Sequence, residues 1–214
     1  MTAAPGGLRV PAGARVAFAT HNAHKAQEVR AILVGLIPGL DPSDLVTSGE
    51  LGVREPVEDG PTFEANALIK ARALAAESGI LAIADDSGIA VDVMGGAPGI
   101  FSARWAGSHG DDQANLDLLL AQLRDVAPQH RGAAFVCAAA AVHPDGRERV
   151  ELARLRGVLA GEARGLRGFG YDPIFVADGM EATNGELDPE VKNAISHRGQ
   201  AFRALAPTIA AFLE

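Results

Sequence analysis

One cysteine is all this chain has, so no disulfide can form within it. Cys137 sits in the apolar run Phe135-Val136-Cys137-Ala138-Ala139 and reads as a packed thiol on a buried strand rather than a reactive one. Aromatic residues make up only 5% of the sequence, so Ala, Leu, Val and Ile must carry most of the core packing. A basic excess is missing too. The net charge of -8 lacks the footprint of a nucleic-acid binder, and such a chain holds a small anion only through a local cation cluster or a metal. The longest apolar run, Ala133 to Val142, falls well short of a bilayer span. Residues 1–13 are rich in Pro, Gly and Ala and lack the continuous apolar stretch of a signal peptide. These absences predict a soluble, cytoplasmic protein that touches neither nucleic acid nor membrane, with a flexible tail over 1–13 and a single domain over 14–214.

Lysine is scarce as well. Of 19 basic residues only Lys25, Lys70 and Lys192 are lysines; the ordinary surface charge is arginine. A surviving lysine can mark a place that needs a compact ammonium rather than a planar fork.

What is present alternates between helix and strand. Arg15 to Ala19 reads as a strand, and Asn22 as the N-cap of a helix running to Leu36. Leu45 to Leu51 is a second strand candidate. Thr62 to Ser78 is helical and ends at Gly79. A short buried strand then ends at Ala84. The segment Asp85-Asp86-Ser87-Gly88 follows as a turn, and Ile89 to Val93 as a further strand. Asp111 or Asp112 caps a helix to Leu123. Two long strands, Ala133 to Val142 and Arg149 to Leu159, form a hairpin across His143-Pro144-Asp145-Gly146. Gly165 to Pro173 is loop, and Ser196 caps the last helix. The pattern is an α/β fold with a mixed sheet.

Five segments carry chemistry. Thr20-His21-Asn22-Ala23-His24-Lys25 joins the first strand to the first helix, where backbone N–H groups and Lys25 favour an anion. Asp85 and Asp86 leave a strand on opposite faces, so only one of them meets a metal; the expectation is Asp86, with Asp85 in support. Magnesium needs few protein ligands, and Glu58, in the loop before the long helix, is the second candidate. Gly168-Phe169-Gly170-Tyr171-Asp172-Pro173 offers close backbone approach and two aromatic faces for a base. Lys192 and Ser196-His197-Arg198 add donors for a base carbonyl or a phosphate. Each segment also has an ordinary structural reading: a helix cap, a polar turn, a solvated acid, an anchored loop. Together they describe a site for a purine nucleoside triphosphate with magnesium.

At this point the chain resembles the inosine triphosphate pyrophosphatase family. The likeness runs from Val16 to Leu213 through motifs in the family's order. They are Thr20-x-Asn22-x-x-Lys25; Thr62-Phe63-x-x-Asn66-Ala67-x-x-Lys70-Ala71; Ala84 to Gly88; Gly95 to Gly99 through Ser102-Ala103-Arg104; Gly168 to Pro173; and Ser196-His197-Arg198-Gly199. Lys25 and Lys70 fall inside them, and Lys192 lies four residues before the last. The resemblance implies an elongated mixed sheet flanked by helices, two lobes around a central substrate cleft, and a homodimer. It implies magnesium-dependent hydrolysis of ITP, dITP and XTP to the monophosphate and pyrophosphate. Asp86 is then the catalytic group and a metal ligand, with Glu58. Thr20, His21, Asn22, Ala23, His24, Lys25 and Ser87 hold phosphate. Phe169, Gly170, Tyr171, Asp172, Lys192, His197 and Arg198 hold the nucleotide. His21 and His24 depart from the pattern, standing where many bacterial relatives carry glycine. The alternatives are a septum-formation-inhibitor type of pyrophosphatase, against which Ser196-His197-Arg198 argues, and a nucleotide-binding module without catalysis.

Overall fold

The computed structural model describes residues 8–214, apart from the side chain of His24. Residues 1–7 of the expected tail, and the His24 side chain assigned to phosphate, therefore lie outside the described part. Within the rest of that tail, Val10 is buried and Leu8 packs against the core.

Six strands and six helices make up the described fold. In chain order they are β1 (Val16–Phe18), α1 (Ala23–Leu36), β2 (Leu45–Thr47), α2 (Ser48–Leu51), α3 (Phe63–Ser78), β3 (Leu81–Val91), α4 (Asp112–Gln122), β4 (Gly132–Val142), β5 (Glu148–Leu159), β6 (Phe175–Ala177), α5 (Pro189–Ile195) and α6 (His197–Leu213). The strands form one open mixed sheet in the order β2-β1-β3-β4-β5-β6. β1 pairs in parallel with β2 and β3, and β5 pairs antiparallel with β6.

Two compact units share this chain. The first comprises residues up to Asp86, Cys137–Ala153 and Arg198–Glu214; the second comprises Ser87–Val136 and Arg154–His197. The first unit has a core on each side of its strands, and strand parity sorts residues between them. Val16 and Phe18 of β1, Leu81 and Ile83 of β3, and Cys137, Ala139 and Ala141 of β4 face α1 and α6. Ala17, Ala82, Ala84, Ala138 and Ala140 face Ala67, Ala71, Leu74 and Ala75 of α3. Small side chains on this second face let α3 lie close, as a core poor in aromatics requires. In the second unit Ile89 and Val91, Leu116, Leu119 and Leu123 of α4, Phe135, Leu159, Ile174 and Phe175 form a separate core.

The structure corrects two expectations. Leu45 to Leu51 is not one strand: it turns into α2 at Ser48. Thr47 Oγ1 accepts from Glu50 N at 3.1 Å while the Glu50 carboxylate accepts from Thr47 N at 2.7 Å, a reciprocal cap that starts a helix. Phe175–Ala177 and Pro189–Ile195, two elements beyond those expected, are a strand and a short helix. The second correction matters more. Asp85-Asp86-Ser87-Gly88 is no turn; β3 runs unbroken from Leu81 to Val91. Gly88 serves close packing instead, because a Cβ there would meet Ser102 Oγ at 2.4 Å and Gly99 O at 2.5 Å.

Candidate active site

Strand parity continues past Ala84. Asp85 falls in line with Leu81 and Ile83 and so meets α1 and α6; Asp86 falls in line with Ala82 and Ala84 and so meets α3. Adjacent acids thus enter different surroundings.

Asp85 is 1% exposed. Its Oδ2 accepts from Lys25 Nζ at 3.3 Å and from Arg198 Nε at 3.1 Å. Arg198, itself 3% exposed, also donates from Nη1 to Glu28 Oε2 at 2.8 Å. Burial by itself raises the Asp85 pKa, but Lys25, Arg198 and Lys70 outweigh it and hold this carboxyl well below the usual carboxylate range. Asp85 is therefore a fixed anion that anchors α1 and α6 to β3.

Asp86 is the opposite case. Asn66 Nδ2 donates to its Oδ2 at 3.1 Å, and Lys70 Nζ stands 3.9 Å from its Oδ1. The same ammonium reaches Glu58 Oε1 at 3.1 Å. Burial pushes the Asp86 carboxyl up to about 6; Lys70 and Asn66 pull the other way, while Glu58 and Asp85 add to the rise. For Lys70, burial lowers the pKa, but Asp85, Asp86 and Glu58 reverse it and leave it raised, so the side chain is a firm cation. The two expected metal ligands thus share one cation.

The expected phosphate segment begins with Thr20, which is buried and accepts from Asn22 N through Oγ1 at 3.1 Å. Asn22 Oδ1 in turn accepts from Lys25 N at 3.1 Å, capping α1 as the sequence predicts. Ala23 opens that helix. The His21 ring is turned onto the carbonyl of Val53, with Nε2 2.8 Å from the oxygen, and its backbone N–H donates to Glu55. Ser87 follows Asp86 on β3 and is partly exposed.

The aromatic segment belongs to the second unit. Phe169 is 42% exposed, with Lys192 Nζ 5.1 Å from its ring centre. Asp172, 3% exposed, accepts from Lys192 Nζ at 2.5 Å, from Phe169 N at 2.9 Å and from Asn184 Nδ2 at 3.2 Å. Gly168 (φ 76°) allows this: a Cβ there would meet Asp172 Oδ2 at 2.3 Å. Gly170 N donates to Asp112. Of the two rings expected as stacking faces, only Phe169 is exposed. Tyr171 is 5% exposed, and its hydroxyl donates to Ser102 O at 2.8 Å, so it anchors the loop in the core. His197 lies flat on Phe135, centroids 4.9 Å apart.

In the first unit the structure thus brings Lys25 and Arg198 together at Asp85 on one face of β3, and Glu58 and Asp86 together at Lys70 on the other; in the second unit it joins Phe169, Asp172 and Lys192. Asn66, Glu28 and Asn184 were not among the expected site residues. Asn66 had a signal, since it lies four residues before Lys70 on one helix face; nothing in the sequence marks Asn184.

Among the described residues no three His, Cys, Asp or Glu side chains converge as a preformed metal cage. The Asp86–Glu58 pair nevertheless has the right chemistry for magnesium, which takes one or two carboxylates and keeps its remaining positions for water and phosphate. Both are hard oxygen donors that reach one cation, the Lys70 ammonium, and burial leaves the Asp86 pKa raised.

The Ham1 family model matches residues 16–208. The chain belongs to the Ham1 family. A relative from Streptomyces coelicolor, named dITP/XTP pyrophosphatase, is 57% identical over 91% of this chain and 96% of its own length. Another of that name, from Leifsonia xyli, is 56% identical over 92% of this chain and 96% of its own. Among solved Ham1 folds, the HAM1 protein of Coxiella burnetii matches with a TM-score of 0.82 at 36% identity, covering 92% of this chain and 99% of that one. The nucleoside-triphosphatase (dITP/XTP pyrophosphatase) of Mycobacterium abscessus matches with a TM-score of 0.74 at 47% identity, covering 90% and 99%.

Proposed function

We propose that this Ham1 chain hydrolyses non-standard purine nucleoside triphosphates (ITP, dITP and XTP) to the nucleoside monophosphate and pyrophosphate, clearing them from the nucleotide pool. The observation that carries the reading is Asp86, a buried carboxylate pushed up to about 6 beside Lys70, Glu58 and Asn66. A base with that pKa is ionised at neutral pH yet still basic enough to take a proton from water. The names of the Streptomyces and Leifsonia relatives support the substrate class.

Asp86 accepts the proton of the attacking water, and its position on β3 fixes where that water lies. The segment Thr20 to Lys25 and Ser87 hold the phosphates, through N–H groups at the start of α1 and through hydroxyls. Asp86 and Glu58 would hold Mg2+, which supplies charge neutralisation on the triphosphate when bound. Phe169 provides the stacking face, Lys192 and His197 the polar contacts to the base, and Gly170, Tyr171 and Asp172 the frame that carries them. Arg198 acts from its buried place by fixing Asp85. Selection for hypoxanthine and xanthine over adenine follows from donors facing a C6 carbonyl, which an amine cannot satisfy. The working form is a homodimer in the cytoplasm; no helix among the described residues is long and apolar enough to cross a membrane.

The deciding assay is purified protein with magnesium and a panel of ITP, dITP, XTP, ATP, GTP and pyrimidine triphosphates, with pyrophosphate and phosphate measured separately. Pyrophosphate release from the first three is expected. Preference for pyrimidine nucleotides would favour the septum-formation-inhibitor reading, and no release at all would favour a binding module.

A further inference from the structure

The motif Thr62-Phe63-x-x-Asn66-Ala67-x-x-Lys70 leaves one polar residue without a task in the scheme above. Asn66 is 1% exposed, on the inner face of α3. Both ends of its amide are engaged in opposite directions. Nδ2 donates to Asp86 Oδ2 at 3.1 Å, and Oδ1 accepts from Gly60 N at 2.8 Å. Gly60 lies two residues after Glu58, in the same loop. A Cβ on Gly60 would stand 2.6 Å from Asn66 Oδ1, so this position admits the amide only beside a glycine. One helical turn further on, Lys70 repeats the connection with charge, touching Glu58 at 3.1 Å and standing 3.9 Å from Asp86. Two rungs therefore cross from the Glu58 loop to Asp86, one neutral and one cationic, and both start from α3.

We propose that Asn66 is a positioning residue for catalysis: its amide clips the Gly60 backbone to the Asp86 carboxylate and so sets the spacing and orientation of the Asp86–Glu58 pair. The proposal rests on the reading of that pair as the proton acceptor and metal site. Lys70 cannot do this alone, because an ammonium on a flexible stem supplies charge without direction. A planar amide held at both ends supplies direction. With its Oδ1 taken by Gly60 N, Nδ2 is the end left for Asp86, which excludes the flipped amide. Asn66 needs no contact with substrate; it acts through Asp86 and through the loop.

Asn66→Asp keeps the shape and the acceptor for Gly60 but sets a carboxyl oxygen against Asp86. Gly60→Ala leaves the amide chemistry intact and pushes it out of place. Outer partners of metal-site ligands typically cost about 10–100-fold in activity or metal affinity when lost. Both variants are therefore expected to lose kcat for dITP by about 10–100-fold, with KM for dITP within about threefold of wild type. Mn2+ binding without nucleotide, followed by EPR, should weaken in parallel. In the unmutated protein the Gly60 amide hydrogen should exchange slowly, and in Asn66→Ala it should exchange at the rate of an open loop. Overturning results are a folded variant with kcat within about twofold of wild type and unchanged Mn2+ binding, or a KM rise at constant kcat, which would put Asn66 on the substrate. If neither variant folds, fast exchange of Gly60 in the wild-type chain still overturns the clip, and slow exchange supports it. Failure of the wild-type protein to release pyrophosphate would sink the function proposed above. The Mn2+ and exchange measurements would still report on the clip.

Discussion

Burial raises the pKa of both carboxyls in the Asp85–Asp86 pair; the surroundings then separate them. Asp85 faces Lys25 and Arg198 directly, with Lys70 also acting on it, and stays ionised. Asp86 has Lys70 at longer range and a second acid, Glu58, nearby, and ends at about 6. Two consequences follow for Asp86→Asn. Proton acceptance is lost, so kcat should fall by about 10²–10⁴-fold with the fold intact. In the wild type, activity should decline as pH falls through about 6, because the protonated carboxyl accepts nothing. The stability effect has the opposite sign. A folded-state pKa of about 6 against the usual 3.8 means the folded state holds its proton more tightly than the unfolded chain, so ionisation costs stability as pH rises between those values. With no metal added, Asp86→Asn should be more stable than wild type at pH 7.5 by on the order of 2–3 kcal/mol, and the gain should vanish below about pH 4. Urea denaturation at the two pH values measures it, and equal stabilities at pH 7.5 would count against the buried-carboxylate account.

Among the elements, β3 decides the site. A sequence of two acids, a serine and a glycine has the composition of a turn, and the turn reading fails for a reason that lies outside the segment. β3 continues because the chain at Gly99–Ser102 packs on Gly88, and Ser102 Oγ accepts from Ile89 N at 2.9 Å. Gly88→Ala should therefore destabilise by about 1–3 kcal/mol through overpacking rather than through backbone strain. Ser102 O also receives the Tyr171 hydroxyl, so the same substitution should raise KM for the nucleotide more than it lowers kcat. A thermal melt together with steady-state kinetics checks both; a neutral effect on both would mean that the strand yields freely. The helices were easier to read than β3. α1 and α3 carry side-chain caps from Asn22 and Thr62 and end on local signals such as Gly79, which has φ of 69°. α2 shows the same kind of signal in Thr47 and Glu50, hidden inside an apolar stretch that also suits a strand.

Across the whole molecule, charge is arranged more tellingly than its total. The net charge is -8, yet the buried carboxylates Asp85 and Asp172 are matched by Lys25, Arg198 and Lys192. Asp86 and Glu58 share the ammonium of Lys70. A chelator should abolish pyrophosphate release without changing the circular dichroism spectrum, and magnesium should restore it. Loss of secondary structure on chelation would instead indicate a structural metal. The chain's own order determined a good part of this. The continuous apolar runs of β1, β3 and β4, the helix caps, and the placement of Lys25 and Lys70 in motifs are local signals, and the side-to-side geometry of a strand already separates Asp85 from Asp86 by face. Tertiary structure decided what each face contains. It buried Tyr171 and left Phe169 exposed, placed Arg198 on Asp85, and brought Asn66 and Lys70 between Glu58 and Asp86. Those outcomes depend on which helix covers which side of the sheet, and that is set by packing between residues far apart in the chain, which no local spacing encodes.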